Sequence, residues 1–402
     1  MVLEMILKYS WENFYSFCED YEVSLLVGHH PTRSLFDLEV DESTRANKVM
    51  AVLGPNGSGK TQLLKVLPFI AFFASSSFRD IDAKRSIPFK PHLAFLEAPS
   101  KFQIEFVIDQ KHYQYSFTLL DGAVLEEQLK FKSTHLFTTI FKRVVKNDVE
   151  FVSGQSLSSL GLPRAFTKSL RRNASLISTA VQFESEELTK IADYFSGFNT
   201  NIISNGRDKL ASLDVFAVGQ IYYENSELNQ KMQSIMRSFD LGIERIDFEL
   251  IKTKGENGEL HEVPFPVFIH NIGDKEIKIP IHEESNGTQS AFCILSKLLL
   301  SLITGNPCIL DEIDNDLHPH LLPYIIDLFK HKHTNPHGAQ LLFSCHSPEV
   351  LNRLGKHQIY LTEKIDNMSE TWRVDEIKGL RNDSNIYAKY MAGALQAIPE
   401  LD

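Results

Sequence analysis

Gly54-Pro55-Asn56-Gly57-Ser58-Gly59-Lys60-Thr61 satisfies the pattern G-x-x-x-x-G-K-[ST] in full. The run before it, Val49 to Leu53, is short and apolar and stops at the glycine-rich turn, and Gln62 to Phe73 then reads as a largely apolar helix. Strand, loop and helix in that order are the context that separates a phosphate cradle from an ordinary glycine turn. Small residues let successive backbone N–H groups face one phosphate, and the helix adds the positive end of its dipole. Asn56, Gly57, Ser58 and Gly59 are therefore expected to line the cradle. Lys60 is expected to reach the β- and γ-phosphates as a mobile charge, and Thr61 to ligate Mg²⁺ through its hydroxyl. The ligand class implied is a nucleoside triphosphate.

Farther along, Cys308-Ile309-Leu310-Asp311-Glu312 is an apolar strand that ends in two adjacent carboxylates. Neighbouring side chains on a strand point in opposite directions, so one carboxylate is expected to address the metal and the next the attacking water. Asp311 is assigned to Mg²⁺ and Glu312 to the nucleophile. Phe343-Ser344-Cys345-His346-Ser347-Pro348 places a histidine just after another short apolar strand. Parallel sheets bind ligands at the carboxyl ends of their strands, which puts His346 within reach of a γ-phosphate. Glu284-Ser285-Asn286-Gly287-Thr288-Gln289 precedes a helix; taken alone, Ser285 or Asn286 is simply its cap.

Around these motifs the chain divides into residues 1–79 with the phosphate loop, 80–280 with strands and a helical insertion, and 281–402 with the remaining motifs. Strand-like runs are expected at Ile104 to Ile108, Tyr113 to Leu120, Leu129 to Phe131, Thr138 to Val144 and Val149 to Val152, with Asp121-Gly122 as a hairpin turn. Ser156 to Arg245 reads as mostly helical. Strands resume at Ile246 to Ile251, Pro264 to His270 and Glu276 to Ile281, with Gly255 to Gly258 as a loop. Alternating helix and strand then return, with a helix from Pro319 to Lys332. No heptad run is long enough for a coiled-coil arm.

The 402 residues carry a formal net charge of -11, with 43% hydrophobic and 23% charged residues, values of a folded globular chain. Most of such a surface repels a phosphate backbone, so nucleic acid is compatible only through a local basic patch. The candidates are Lys142, Arg143 and Lys146, and Lys168, Arg171 and Arg172. Four scattered cysteines with no Cys-x-x-Cys pair fit a reducing cytoplasm. The N-terminus lacks a signal-peptide core, and the apolar stretches Leu67 to Ala74 and Ala291 to Ile303 read as too short or too punctuated to span a bilayer. A zinc site among His318, His320, His331, His333 and His337 is disfavoured, because no cysteine stands at suitable spacing.

Taken in chain order, the phosphate loop, a Ser-x-Gly signature at Ser285, Asn286 and Gly287, the Asp-Glu strand and the strand-end histidine resemble the ABC/SMC-type ATPases. No Asn-Lys-x-Asp guanine-reading motif is present. The run from Asp311 to Pro319 resembles stand-alone ATPases of bacterial antiphage and abortive-infection systems, including the RloA, PtuA and OLD types. Trp11 to Phe17 is similar to the opening strand of that group, and Asn385 to Pro399 to its closing segment. The resemblance implies an α/β fold: an ABC/SMC-like P-loop NTPase core with a mixed β lobe and a largely helical insertion. It implies ATP with Mg²⁺, and a homodimer or higher even oligomer in which Ser285, Asn286 and Gly287 act in trans. Lys60, Thr61, Asp311, Glu312 and His346 act in cis, and Gln182, in a segment similar to the Q-loop region, senses Mg²⁺ and the γ-phosphate. It further implies a separate effector such as a nuclease, since a C-terminal TOPRIM nuclease is not expected. A DNA-repair or chromosome-maintenance ATPase of the RecF/SMC kind is the alternative. The signature departs from Leu-Ser-Gly-Gly-Gln in carrying Asn286, and His318 stands where transporters carry Asp.

Overall fold

The computed structural model describes residues 4–397 other than 29–30, 133–135, 147–148, 204–205, 208–214, 240–241, 255–258, 316–320 and 382–383. The expected Gly255 to Gly258 loop, His318 with its neighbours up to Pro319, and Pro399 thus lie outside the described residues.

β1 (Met5–Phe14) and β2 (Phe17–Ser24) open the chain as an antiparallel pair, followed by a small sheet of β3 (Leu26–Val27), β4 (Asp37–Glu39) and β5 (Arg45–Asn47). β6 (Val49–Leu53) leads through the glycine-rich loop into α1 (Lys60–Asp80). Five antiparallel strands come next: β7 (Ser100–Ile108), β8 (Lys111–Leu120), β9 (Ala123–Lys132), β10 (Phe137–Lys146) and β11 (Val149–Gly154). Asp121 and Gly122, both at positive φ, turn β8 into β9 as the sequence predicts.

The stretch read as helical holds α2 (Leu176–Val181), α3 (Glu186–Ser196), α4 (Val215–Glu224) and α5 (Ser226–Ser238). It also holds three two-residue strands, β12 (Asn199–Thr200), β13 (Ile202–Ile203) and β14 (Gly206–Arg207), too short to carry a periodic signal. β15 (Ile243–Lys254), β16 (Leu260–Ile272) and β17 (Lys275–Pro280) form a separate antiparallel sheet. α6 (Asn286–Thr304), β18 (Cys308–Leu310), α7 (Leu321–Leu328), β19 (Leu341–Ser344), β20 (Ile359–Ile365), β21 (Met368–Arg373) and α8 (Ile386–Met391) complete the chain.

Two sheets position the site. The core sheet has the order β12-β18-β19-β6-β20-β21, parallel except for β21. Its central strands β6, β18 and β19 are buried on both faces, which is why they read as continuous apolar runs. The alternation of β6 divides them: Met50 and Val52 pack with α1 on one side, and Val49, Ala51 and Leu53 pack with α6 and α7 on the other. The second sheet, β11-β10-β9-β8-β7-β1-β2, is wholly antiparallel and closes over the far side of α1. An α/β P-loop core with a β lobe is therefore the architecture. Gln340 ties the two sheets together, accepting from Ile6 N at 2.7 Å and donating to Ile6 O at 3.0 Å and Asn47 O at 2.9 Å.

Two expectations are corrected here. α1 and α6, at 21 and 19 residues, run beyond the stretches Leu67 to Ala74 and Ala291 to Ile303 and are, by length and composition alone, long and apolar enough to cross a membrane. Most of each helix is buried in the two cores. Arg143 is no part of a basic surface. Its side chain is fully buried, held by Glu127 at 3.2 Å and by the carbonyls of Ala174 and Arg171. Arg171 likewise turns inward, its guanidinium 4.2 Å from the centre of the Phe78 ring and bonded to Phe78 O.

Candidate functional site

The carboxyl ends of β6, β18 and β19 lie side by side, and the sequence motifs meet there. The phosphate loop leaves β6 at Gly54. A Cβ at Gly54 would stand 2.2 Å from Thr362 O, and one at Gly59 would stand 2.7 Å from the Ser369 hydroxyl. Backbone packed so closely against β20 and β21 admits only glycine at these two positions. Ser58 and Thr362 share a hydroxyl contact of 2.6 Å that fixes the loop from within.

Lys60 is 5% exposed, and its ammonium donates to Gly54 O at 2.9 Å and Pro55 O at 3.0 Å, curling over its own loop. Burial pushes its pKa below the ordinary lysine range, and the charges of Asp311 and Glu312 oppose that shift. Thr61 donates its hydroxyl to Asp311 Oδ2 at 2.7 Å. Asp311 is 1% exposed, and its other oxygen accepts from the Ser344 hydroxyl at 2.5 Å. The donor set of Thr61 and Asp311 is oxygen only, the kind that suits a hard divalent cation such as Mg²⁺.

Glu312 departs from the strand expectation. β18 stops at Leu310, so strand alternation does not separate the two carboxylates. Glu312 instead adopts φ 47, the left-handed region, just past the strand end. Such a backbone costs of order 1 kcal/mol and clusters at functional positions. Glu312 Oε1 lies 3.6 Å from His346 Nε2, with the two side chains 30% and 41% exposed, so this pair faces the open side of the site. Asp314 Oδ2 accepts from His346 N at 2.9 Å, Ser347 N at 2.8 Å and the Ser347 hydroxyl at 2.8 Å, pinning the turn that carries the histidine.

The other expected residues lie on two further helices, α6 and α2. Ser285 caps α6, accepting from Thr288 N at 3.1 Å, and Ser285 and Asn286 are exposed. Gln182 is exposed at the C-terminal cap of α2. α2 is anchored through Ser178 to Ser77 and Phe78 at the far end of α1, about 25 Å of helix away from Lys60. That separation exceeds the reach of a glutamine side chain, so Gln182 does not join the phosphate loop within the chain.

A family model matches residues 49–352, well over half of the 402-residue chain. The chain belongs to the family described as "AAA domain, putative AbiEii toxin, Type IV TA system". The match of this AAA domain takes in the phosphate loop, the Asp311-Glu312 turn and His346. Solved SMC heads are similar in structure. A head bound to the C-winged helix domain of ScpA shares 12% identity at a TM-score of 0.45, covering 91% of this chain and 96% of that one. The Thermotoga maritima SMC head domain gives 12% and 0.41, with 92% and 98% covered. A head with an extended coiled coil, bound to the C-terminal domain of ScpA derived from Pyrococcus furiosus, gives 12% and 0.44, with 93% and 98% covered. No curated protein matches the chain.

Sequence reading missed two residues of this AAA domain's site. Asn201, next to β12, is buried; it accepts from Asp311 N at 2.8 Å and donates to Asp311 O at 3.0 Å. Ser344 bonds the Asp311 carboxylate and accepts from Glu312 N at 2.7 Å. No local pattern marks either one, since both act across neighbouring strands.

Proposed function

We propose that the chain is a cytoplasmic ATPase that binds ATP with Mg²⁺ and hydrolyses it at a site completed by a second copy of itself. The observation that carries this reading is the convergence of Lys60, Thr61, Asp311, Glu312 and His346 at adjacent strand ends, beside a cradle from Gly54 to Gly59. Asn56, Gly57, Ser58 and Gly59 line the phosphates, and Lys60 releases Gly54 O and Pro55 O to meet them. Thr61 and Asp311 would hold Mg²⁺, which when bound supplies charge to offset that of the phosphates. Glu312 draws the proton of the attacking water, and His346 donates to the γ-phosphate.

Ser285 and Asn286 stand exposed, and Gly287 half-buried, at a helix N-terminus, an end that favours anions. We assign them to a partner's γ-phosphate in a head-to-tail homodimer, the smallest of the even oligomers that fit. The family's description as a type IV toxin–antitoxin domain supports a defence role, in which nucleotide state controls an effector protein such as a nuclease. RloA, PtuA and OLD types are the likeness we propose for it.

Complementation tests the shared site. Lys60→Ala and Ser285→Arg, each inactive alone, restore about a quarter of wild-type phosphate release when mixed in equal amounts, because half the dimers then carry one intact site. No restoration with both variants folded sinks the composite site, and no hydrolysis by wild-type protein sinks the ATPase reading itself.

A further inference from the structure

We propose that Ser344 is a positioning residue that sets both carboxylates of the site at once. Its importance rests on Asp311 and Glu312 acting as proposed above. Ser344 ends β19 and is fully buried. A hydroxyl has a single proton, and here it goes to Asp311 Oδ1 at 2.5 Å. The 2.7 Å contact with Glu312 N therefore uses an oxygen lone pair, with the backbone N–H donating. The Ser344 carbonyl accepts from Ile313 N at 3.0 Å. Three consecutive residues, Asp311 to Ile313, are thus fastened to one residue of the neighbouring strand.

Each fastening has its own consequence. With Oδ1 held by Ser344, Oδ2 is the oxygen turned to Thr61, so the carboxylate presents one defined edge to the loop. Without the hydroxyl, that carboxylate keeps its Thr61 contact at Oδ2 but loses its tie at Oδ1, and its terminal torsion is less tightly set. The bond to Glu312 N holds a residue at φ 47, a conformation that persists only where its surroundings over-determine it. Asp314 supplies a second tie between the same two strand ends, through His346 and Ser347. Removing the Ser344 hydroxyl therefore loosens the carboxylates while the turn stays closed.

The test uses Ser344→Ala and Ser344→Cys in the full chain. Cysteine keeps nearly the same size, yet its thiol is a weak donor. Partners that orient metal-ligating groups typically contribute 10- to 100-fold, so kcat for ATP falls by about 10- to 100-fold in both, with KM within about threefold. Mn²⁺ binding, read by electron paramagnetic resonance with a non-hydrolysable ATP analogue, weakens about tenfold, while nucleotide binding in EDTA is unchanged. Folded variants that keep wild-type kcat and Mn²⁺ affinity overturn the proposal, as does the failure of both variants to fold. A wild-type chain that binds Mn²⁺ with nucleotide but releases no phosphate removes the hydrolysis reading alone; Mn²⁺ affinity then still decides the part played by Ser344.

Discussion

Asp311 is 1% exposed, with both carboxylate oxygens and both backbone polar groups hydrogen-bonded, whereas Ser285 and Asn286 stand in solvent with a helix cap as the local restraint. The strand-end half of the site is built before ligand arrives. Its geometry depends on contacts inside one chain, and preorganised polar groups of this kind lose little on binding. The α6 tip has the opposite character: its Ser285 cap accepts from Thr288 N, and the first N–H groups of a helix have no intrahelical partner. One half takes its geometry from the rest of its own fold, while the other is left open to solvent, where the proposed second copy would act.

The largest effect should fall on the strand-end half. Glu312→Gln lowers steady-state phosphate release by about 1000-fold, as loss of a proton acceptor typically does, with ATP affinity unchanged in an equilibrium titration. A residual rate near wild type would place the acceptor elsewhere. Asn201→Ala strips the backbone of Asp311 of two bonds in a buried setting and lowers unfolding stability by about 2–4 kcal/mol in a urea titration. A loss under about 1 kcal/mol would mean that water replaces the side chain, and that this half is less prebuilt than its geometry implies. The smallest effect is expected at the exposed half, where Ser285→Ala removes one cap and costs about 1 kcal/mol in the same titration. A loss several times larger would show that the α6 tip is held by more than its cap, and would erase the contrast.

Legibility followed the range of the forces involved. The phosphate loop, the apolar strands before Gly54 and Asp311, and the strand before His346 are local patterns, and the structure places all of them where the sequence predicts. β12 escaped because two residues carry no period; its place at the edge of the core sheet comes from pairing with β18, more than a hundred residues later. Ser344 and Asn201 escaped for the same reason, their partners being Asp311 and Glu312, distant in sequence and just past the end of β18. The argument from alternation at Glu312 does not apply, since the strand has already ended at Leu310 and Glu312 sits in a left-handed bend that no sequence period marks. Arg143 shows the reverse error: a run of basic residues reads as a patch, although a buried Glu127 on the adjacent strand draws one of them inside.

The close approach of Gly54 to Thr362 and of Gly59 to Ser369 has a consequence for the growing polypeptide. A nascent chain displays the entire eight-residue motif long before the strands that wall it have left the ribosome. Until residues 359–373 arrive, the loop lacks the surface that shapes it, and ATP, abundant around any translating ribosome, meets no finished receptor. Synthesis itself thereby delays a finished phosphate cradle until the strands carrying Thr362 and Ser369 are in place.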